Sequence, residues 1–180
     1  MSEDFNLKRM RGPADEEAHP KYAHLEIERR WLVDAGKLAI ADLGDPIAIH
    51  DRYIEGTRMR LRRMERGGVH VFKLTRKYEC GEADARPIVT AYLEQAEYEV
   101  FASLPALELS KTRLKLAFGG LALSIDRFQG PLEGLTLAEI EMDDLAALRA
   151  LPDPPWAVRD VTHELPYQGA TLARAGIPKD

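Results

Sequence analysis

The sequence predicts an antiparallel α+β domain with seven or more strands and a few short helices between them. Many short segments alternate apolar and charged residues, which is the pattern of strands with one buried face. The pairs Gly67-Gly68 and Gly119-Gly120 lie between such segments and predict tight hairpin turns. A length of 180 residues suits one domain with a sizeable core.

The predicted elements follow in chain order. Residues 1–23 are polar and contain Pro13 and Pro20, so we expect a flexible tail before a folded domain at 24–180. Strands are predicted at 24–33, 47–54, 57–66, 69–78, 88–94, 110–118, 121–128, 135–142 and 158–164, with a polar loop at 79–87. Helices are predicted at 35–43 after a cap at Asp34, at 95–104, after a cap at Asp143 as far as 151, and at 167–175.

Composition excludes several classes of protein. A formal net charge of −5 argues against a general nucleic-acid binder. The single cysteine, Cys80, excludes an intramolecular disulfide and a cysteine-based zinc site. We see no signal peptide and no apolar segment of membrane-spanning length, so we expect a cytoplasmic protein.

Charged residues of like sign cluster on one face of several predicted strands. The faces are Glu26, Glu28 and Arg30; Arg58, Arg60 and Arg62; Lys73, Thr75 and Lys77; Lys111 and Arg113; Asp126; and Glu139 and Glu141. For a single strand, a half-buried sheet with a solvated outer face explains the alternation best. Across all the strands, the like charges would repel one another on a simple surface. A sheet curled so that this face lines a cavity would bring the acidic and basic strands together.

Such a cavity suits a metal–polyphosphate site. Arginine and lysine neutralise and orient phosphate oxygens. Paired carboxylates hold Mg²⁺ or Mn²⁺, and phosphoryl transfer needs mainly positioning and charge stabilisation.

These motifs together resemble the CYTH domain, also called the triphosphate tunnel metalloenzyme family. Glu26-Ile27-Glu28-Arg29-Arg30 is similar to the family's N-terminal Glu-x-Glu-x-Lys signature, and Arg58-Met59-Arg60-Leu61-Arg62 to its Arg-x-Arg strand. The later motifs follow in the family's order: Leu74-Thr75-Arg76-Lys77, Lys111-Thr112-Arg113, Asp126-Arg127-Phe128, Ala138-Glu139-Ile140-Glu141, and Asp160-Val161-Thr162 with Tyr167. The combination is far more specific than any one of its parts.

The resemblance implies a closed eight-stranded antiparallel β-barrel, a tunnel, with short helices covering its outside. It also implies hydrolysis of a small-molecule triphosphate with Mg²⁺ or Mn²⁺. The implied metal ligands are Glu26, Glu28, Glu139, Glu141 and Asp126, the implied catalytic residues are Glu28, Arg30 and Lys77, and the implied substrate-binding residues are Arg58, Arg60, Arg62, Lys73, Lys77, Lys111 and Arg113. We expect neither a nucleic acid nor a membrane as partner, and a homodimer stays open.

Some points stay open at this stage. Arg30 stands where the family usually has lysine, and three alternating arginines leave open which two match the usual pair. Asp160 is one methylene shorter than the usual glutamate, and the register of Glu94 and the role of His163 are unsettled. Inorganic triphosphatase is the leading hypothesis. A class IV adenylyl cyclase, a thiamine triphosphatase and a non-catalytic polyphosphate-binding protein remain alternatives.

Overall fold

The computed structural model describes residues 22–38, 44–78 and 84–179. The strands in these ranges are β1 (His24–Val33), β2 (Ile47–Ile54), β3 (Met59–Arg66), β4 (Val69–Lys77), β5 (Ala85–Leu93), β6 (Ala106–Phe118), β7 (Leu121–Phe128), β8 (Thr136–Glu141) and β9 (Ala157–Asp160). The helices are α1 (Gln95–Ala102), α2 (Leu145–Arg149) and α3 (Gly169–Ala175), with 3-10 turns at Ala35–Lys37, Gly130–Leu132 and Leu165–Tyr167. None of the helices in the described ranges has the length and apolar character needed to span a membrane.

Eight of the described strands close into an antiparallel barrel in the order β1-β5-β4-β3-β2-β6-β7-β8 and back to β1. β1 closes the barrel because it pairs with β5 through His24 to Ile27 and with β8 through Glu28 to Leu32. β9 extends the sheet by pairing with β1 near its C-terminal end. The predicted closed eight-stranded barrel is therefore confirmed.

Two tight hairpins connect β3 to β4 and β6 to β7. Gly67 and Gly68 have φ values of 57° and 80°, and Gly119 and Gly120 have 58° and 81°. A two-residue turn of this kind requires positive φ at both central positions, which glycine adopts without steric cost. The two Gly-Gly pairs thus form the turns that the sequence predicts, and they set the register of the strands on either side.

Most of the charged residues predicted for the site face the inside of the barrel, and the apolar residues that alternate with them face outwards. On β1, Glu28 and Arg30 line the interior, whereas Ile27 and Trp31 belong to a buried apolar cluster outside it. Helix α2 covers this cluster with Leu148, which is completely buried. Burial of one such side chain contributes roughly 1.5–3 kcal/mol. The hydrophobic core therefore lies around the barrel wall.

A second apolar cluster fills one end of the barrel. Leu109, Phe128 and Leu137 pack there against Tyr167 and Leu172 from the C-terminal segment. Helices α1 and α2 lie on the outside of the barrel, as predicted. Helix α3 instead lies across this end, so its apolar residues face the interior.

The structure adjusts several predicted boundaries. The helix predicted after Asp143 is only Leu145–Arg149, and Asp144 caps it because its carboxylate accepts the N–H of Ala147. β5 begins at Ala85, so part of the predicted loop is strand. Asp34 caps a 3-10 turn rather than a longer helix, and residues 39–43 lie outside the described residues. The predicted tail as far as residue 21, and Cys80, also lie outside them.

The first prediction concerns Gly169, the first residue of α3. A Cβ at this position would collide with the Tyr53 hydroxyl oxygen and would lie 2.9 Å from Tyr53 Cζ. We expect Gly169→Ala to lower the free energy of unfolding by roughly 1–3 kcal/mol, measured by denaturant titration, because the end of the barrel becomes overpacked. Alanine is a better helix former than glycine, so helix propensity alone predicts that this substitution raises the free energy of unfolding.

Gly44→Ala is the matched control, because its Cβ would meet the Lys115 carbonyl oxygen at 3.6 Å, an ordinary contact. Tyr53→Phe should restore part of the stability lost in Gly169→Ala. A Gly169→Ala protein as stable as the parent would contradict the close approach of α3.

Candidate active site in the barrel interior

The barrel encloses a cavity of about 1040 Å³. Its wall includes every predicted site residue except Asp126, namely Glu26, Glu28, Arg30, Arg58, Arg60, Arg62, Lys73, Lys77, Lys111, Arg113, Glu139 and Glu141. Asp126 is fully buried and contacts two of these residues. The acidic and basic strand faces therefore share one enclosure, as the sequence predicts.

The acidic strands β1 and β8 meet around Arg30. Arg30 Nε donates to Glu139 Oε1 at 3.0 Å, and Nη2 donates to Glu28 Oε1 at 3.1 Å. Lys77, from β4, forms ion pairs with Glu26 and, at 3.6 Å, with Glu28. Each of these cations thus lies between two carboxylates.

A second charge cluster joins β6, β7 and β8. Arg113 Nε and Nη2 donate to the two Asp126 oxygens at 2.6 Å each, and Nη2 also donates to Glu139. Lys111 forms an ion pair with Asp126 as well. Both oxygens of Asp126 are therefore occupied by cations of the neighbouring strand.

The surrounding cations keep the interior carboxylates ionised. Burial acts to raise the pKa of Glu28, but the charges of Lys77 and Arg30 outweigh it and hold the pKa below its ordinary value. Burial opposes ionisation of Glu139 too, yet Lys111, Arg30 and Arg113 hold its pKa well below the ordinary value. At neutral pH both groups carry a negative charge.

The guanidinium of Arg30 is permanently charged. Burial acts to lower its pKa, but Glu139 and Glu28 raise the pKa above the ordinary arginine value. The backbone N–H of Arg30 also donates to Thr162 Oγ1 at 2.9 Å, and Nη1 donates to the Tyr167 carbonyl at 3.2 Å. Arg30 is thus held at both its backbone and its side chain.

The three arginines of β3 occupy different environments. Arg62 donates from Nε and Nη2 to the two oxygens of Asp51 on β2, at 2.6 and 2.7 Å. Arg60 Nε lies 3.9 Å from Asp51 Oδ1, and it is buried without a hydrogen-bond partner among the described residues. Arg62 is therefore held by a buried carboxylate, whereas Arg60 is only near it.

Sequence reasoning missed several charged residues of the interior, among them Arg86, Lys115 and Asp51. Arg86 and Lys115 line the cavity, and Asp51 pairs with Arg62 behind it. Extending the alternation of β6 by one step beyond Arg113 would have found Lys115. Arg86 fell in a segment predicted to be a loop, and Asp51 lies on a strand that otherwise reads as apolar on its inner face.

Three residues left open at the sequence level lie away from the cavity. Asp160 accepts from Arg29 Nε at 2.6 Å and from the Thr162 N–H at 2.8 Å, and it lines a small outer cavity that also contains His163. Glu94 caps α1 through a capping box with Glu97. None of the three is part of the interior wall.

Comparisons with known proteins find similarity both in sequence and in fold. No protein-family profile matches the chain. The chain is similar to an inorganic triphosphatase of Acetivibrio thermocellus, with 32% identity over 104 residues. That match covers 58% of this chain and 58% of the relative, so the chain spans less than two thirds of the relative's length.

The fold is similar to that of NE1496, whose crystal structures are described as a hypothetical protein and as an inorganic triphosphatase. The first has a TM-score of 0.57 at 25% identity and covers 85% of this chain and 99% of that one. The second has the same TM-score at 23% identity, with 86% and 97% covered. The chain therefore shares the barrel fold of NE1496, which is the fold that the resemblance to the triphosphate tunnel metalloenzyme (CYTH) family implies.

A more distant structure, PH1819 from Pyrococcus horikoshii OT3, shares the tunnel fold. Its TM-score is 0.52 at 16% identity, with 69% of this chain and 82% of that one covered. The barrel fold is thus found at low sequence identity as well.

The resemblance to the tunnel metalloenzymes implies a divalent metal cofactor, and the interior residues fit one chemically. Hard divalent cations take carboxylate oxygens, and the carboxylates of Glu28 and Glu139 approach each other because both pair with Arg30. In the described ranges, no three His, Cys, Asp or Glu side chains are grouped closely enough to hold a metal ion as they stand. The carboxylates must exchange their arginine and lysine partners before a metal can bind them.

The second prediction concerns Glu139 in the barrel interior. A carboxyl group with a lowered pKa contributes stability that is fully present above the unfolded-state pKa of about 4.3 and is lost as the pH falls through its folded-state pKa. We expect Glu139→Gln to lower the free energy of unfolding at pH 7 by roughly 1.5–3 kcal/mol, because Arg30 and Arg113 lose a charged acceptor. The difference from the parent should shrink below about pH 4, measured by denaturant titration from pH 7 to pH 3.

Glu141→Gln is the control, because the Glu141 side chain is 60% exposed and only faces His24 at 3.6 Å. Its free energy of unfolding should stay within about 0.5 kcal/mol of the parent. A Glu139→Gln effect that is absent at pH 7, or independent of pH, would show that the ion pairs of Glu139 contribute no net stability.

Proposed function

We propose that this domain is a metal-dependent hydrolase of triphosphates, with inorganic triphosphate as its principal substrate. The observation that carries the proposal is that acidic and basic side chains line the same cavity. Carboxylates suited to a divalent cation lie next to arginines and lysines suited to phosphate oxygens. The similarity to an inorganic triphosphatase over 104 residues supports it.

The basic residues of β3, β4 and β6 bind the phosphate chain in this proposal. They are Arg58, Arg60, Arg62, Lys73, Lys77, Lys111 and Arg113. Arginine offers several N–H donors in one plane, and lysine supplies a compact charge. Arg86 and Lys115 line the same wall and extend the set.

Carboxylates of β1 and β8 hold the metal, for which we propose Mg²⁺ or Mn²⁺. Glu26, Glu28 and Glu139 are the central ligands, and the more exposed Glu141 lies at the rim. A bound divalent ion supplies positive charge to the phosphate oxygens and lowers the pKa of water. We place Asp126 outside the ligand set, because it is fully buried and is not part of the cavity wall.

Arg30 and Lys77 act as catalytic cations between the carboxylates and the substrate. Arg30 keeps its proton, since its pKa is raised, so it cannot serve as a base. It orients Glu28 and Glu139 and stabilises negative charge near them. Lys77 can leave Glu26 to donate to a phosphate oxygen.

The reaction is an in-line attack of water on a terminal phosphorus. The P–O bond to the bridging oxygen breaks, phosphate and pyrophosphate leave, and the basic wall neutralises the charge that grows on the bridging oxygen. The chain contributes mainly position and electrostatics, which is what this reaction class requires.

A panel of substrates tests the proposal. Purified protein with Mg²⁺ or Mn²⁺ should release phosphate from tripolyphosphate, and the rates with ATP and thiamine triphosphate establish the preference. Release of pyrophosphate with a cyclic nucleotide from ATP would identify an adenylyl cyclase instead. Binding of tripolyphosphate without release of phosphate would identify a polyphosphate-binding protein.

The third prediction concerns Glu28. We expect Glu28→Gln to reduce turnover of tripolyphosphate by more than about 100-fold, the scale of removing one electrostatic catalyst. Binding of tripolyphosphate without metal should remain, because glutamine keeps the size of the side chain and the basic wall is unchanged. Phosphate release and calorimetry in EDTA measure the two effects.

Glu108→Gln is the control. Glu108 lies on the outer side of the barrel wall and pairs with Arg52 and His50. The Glu108→Gln variant should hydrolyse tripolyphosphate at the same rate as the parent protein. Unchanged turnover in Glu28→Gln would remove Glu28 from the catalytic set.

A further inference from the structure

Asp51 is a buried carboxylate that the proposed chemistry does not use. It lies on β2, directly across from Arg62 on β3 and Leu109 on β6. Its exposed fraction is 1%, and it is not part of the cavity wall. Asp51 can therefore act on a molecule in the cavity only through the side chains that it holds.

The contact between Asp51 and Arg62 fixes the orientation of the guanidinium. Nε and Nη2 of Arg62 donate to the two carboxylate oxygens at 2.6 and 2.7 Å. Two parallel hydrogen bonds to a carboxylate fix the plane as well as the position of an arginine. Arg62 remains part of the cavity wall, so this fixed guanidinium is presented to the interior.

The charge of Asp51 also acts on Arg60. Arg60 and Arg62 are two residues apart on one strand face, where like charges repel. Arg60 Nε lies 3.9 Å from Asp51 Oδ1 and makes no hydrogen bond within the described residues. A single buried carboxylate thus offsets the charges of two neighbouring arginines.

The next strand pair along the barrel wall, β6 and β7, repeats the arrangement. Asp126 on β7 lies across from Arg113 on β6, is fully buried, and accepts two hydrogen bonds from that arginine at 2.6 Å. Each pair places a buried aspartate on one strand and a cavity-lining arginine on the next. The recurrence indicates that a buried aspartate is part of how this barrel holds its phosphate-binding arginines.

We propose that Asp51 is a positioning residue of the triphosphate site: it holds Arg62 and Arg60 in place for the phosphate chain and is not a metal ligand. This inference rests on the proposed function, because it assigns Asp51 to the binding of that substrate. Without the charge of Asp51, the guanidinium of Arg62 would no longer be held in one plane, and Arg60 and Arg62 would move apart.

Binding of tripolyphosphate, measured by calorimetry in EDTA, tests the inference without requiring turnover. We expect Asp51→Asn to weaken binding about 10-fold or more, because two guanidiniums lose their charged partner. In steady-state assays KM for tripolyphosphate should rise more than kcat falls. The Mg²⁺ concentration that gives half-maximal activity should stay the same, which a metal ligand would not allow.

A double-mutant comparison separates positioning from a general structural effect. The double variant Asp51→Asn with Arg62→Gln should bind tripolyphosphate less than about 10-fold more weakly than Arg62→Gln, because only the part of the Asp51 effect that passes through Arg60 remains. This comparison holds even if Asp51→Asn alone fails to fold. Glu108→Gln, which removes a carboxylate from a cross-strand arginine pair outside the barrel, should bind as the parent does.

A folded Asp51→Asn protein whose binding of tripolyphosphate changes by less than about 2-fold would overturn the inference. So would a shift in the Mg²⁺ concentration that this variant requires for activity. A double variant that binds tripolyphosphate far more weakly than Arg62→Gln would also overturn it. Parent protein that binds tripolyphosphate but does not hydrolyse it would refute the proposed function alone, and the binding loss in Asp51→Asn would still support the inference. Parent protein that binds no tripolyphosphate would refute both.

Discussion

Charge compensation across neighbouring strands is the constraint on which the barrel interior depends. The strand period of two directs the basic faces of β3, β4 and β6 and the acidic faces of β1 and β8 into one enclosure. Removing one partner from a buried ion pair is strongly destabilising, so each carboxylate of the interior supports the cations around it. The contacts that stabilise these buried charges therefore also form the surface on which the proposed metal ion and polyanion would bind.

Arg30 connects this charged interior to the apolar end of the barrel. It contacts Glu28 and Glu139 on one side and the Tyr167 carbonyl on the other. Tyr167 packs with Leu172 of α3 in the cluster that fills that end. The hydrophobic packing of the C-terminal segment thus helps to fix a cation between two carboxylates. We expect changes in the packing of α3 to reach Glu28 and Glu139 through Tyr167 and Arg30.

Much of the site could be predicted from the sequence, because alternation alone determines which residues share a strand face. Lys77, Lys111 and Glu139 line the cavity for that reason. Alternation does not determine which charged residues pair across strands, because pairing depends on the register between the strands. The pairing of Asp51 with Arg62 was missed for this reason. The position of α3 could not be predicted either. An apolar helix face shows that the helix packs against the barrel, but not whether it covers the outside or one end.

The most direct measurement is a crystal structure of the protein with Mn²⁺ and tripolyphosphate, in which anomalous scattering locates the metal. The account predicts a Mn²⁺ peak inside the barrel with Glu28 or Glu139 as ligands, and phosphate groups in contact with Arg58 and Arg60. A metal and phosphate chain bound on the outer surface, with the interior ion pairs unchanged, would contradict it.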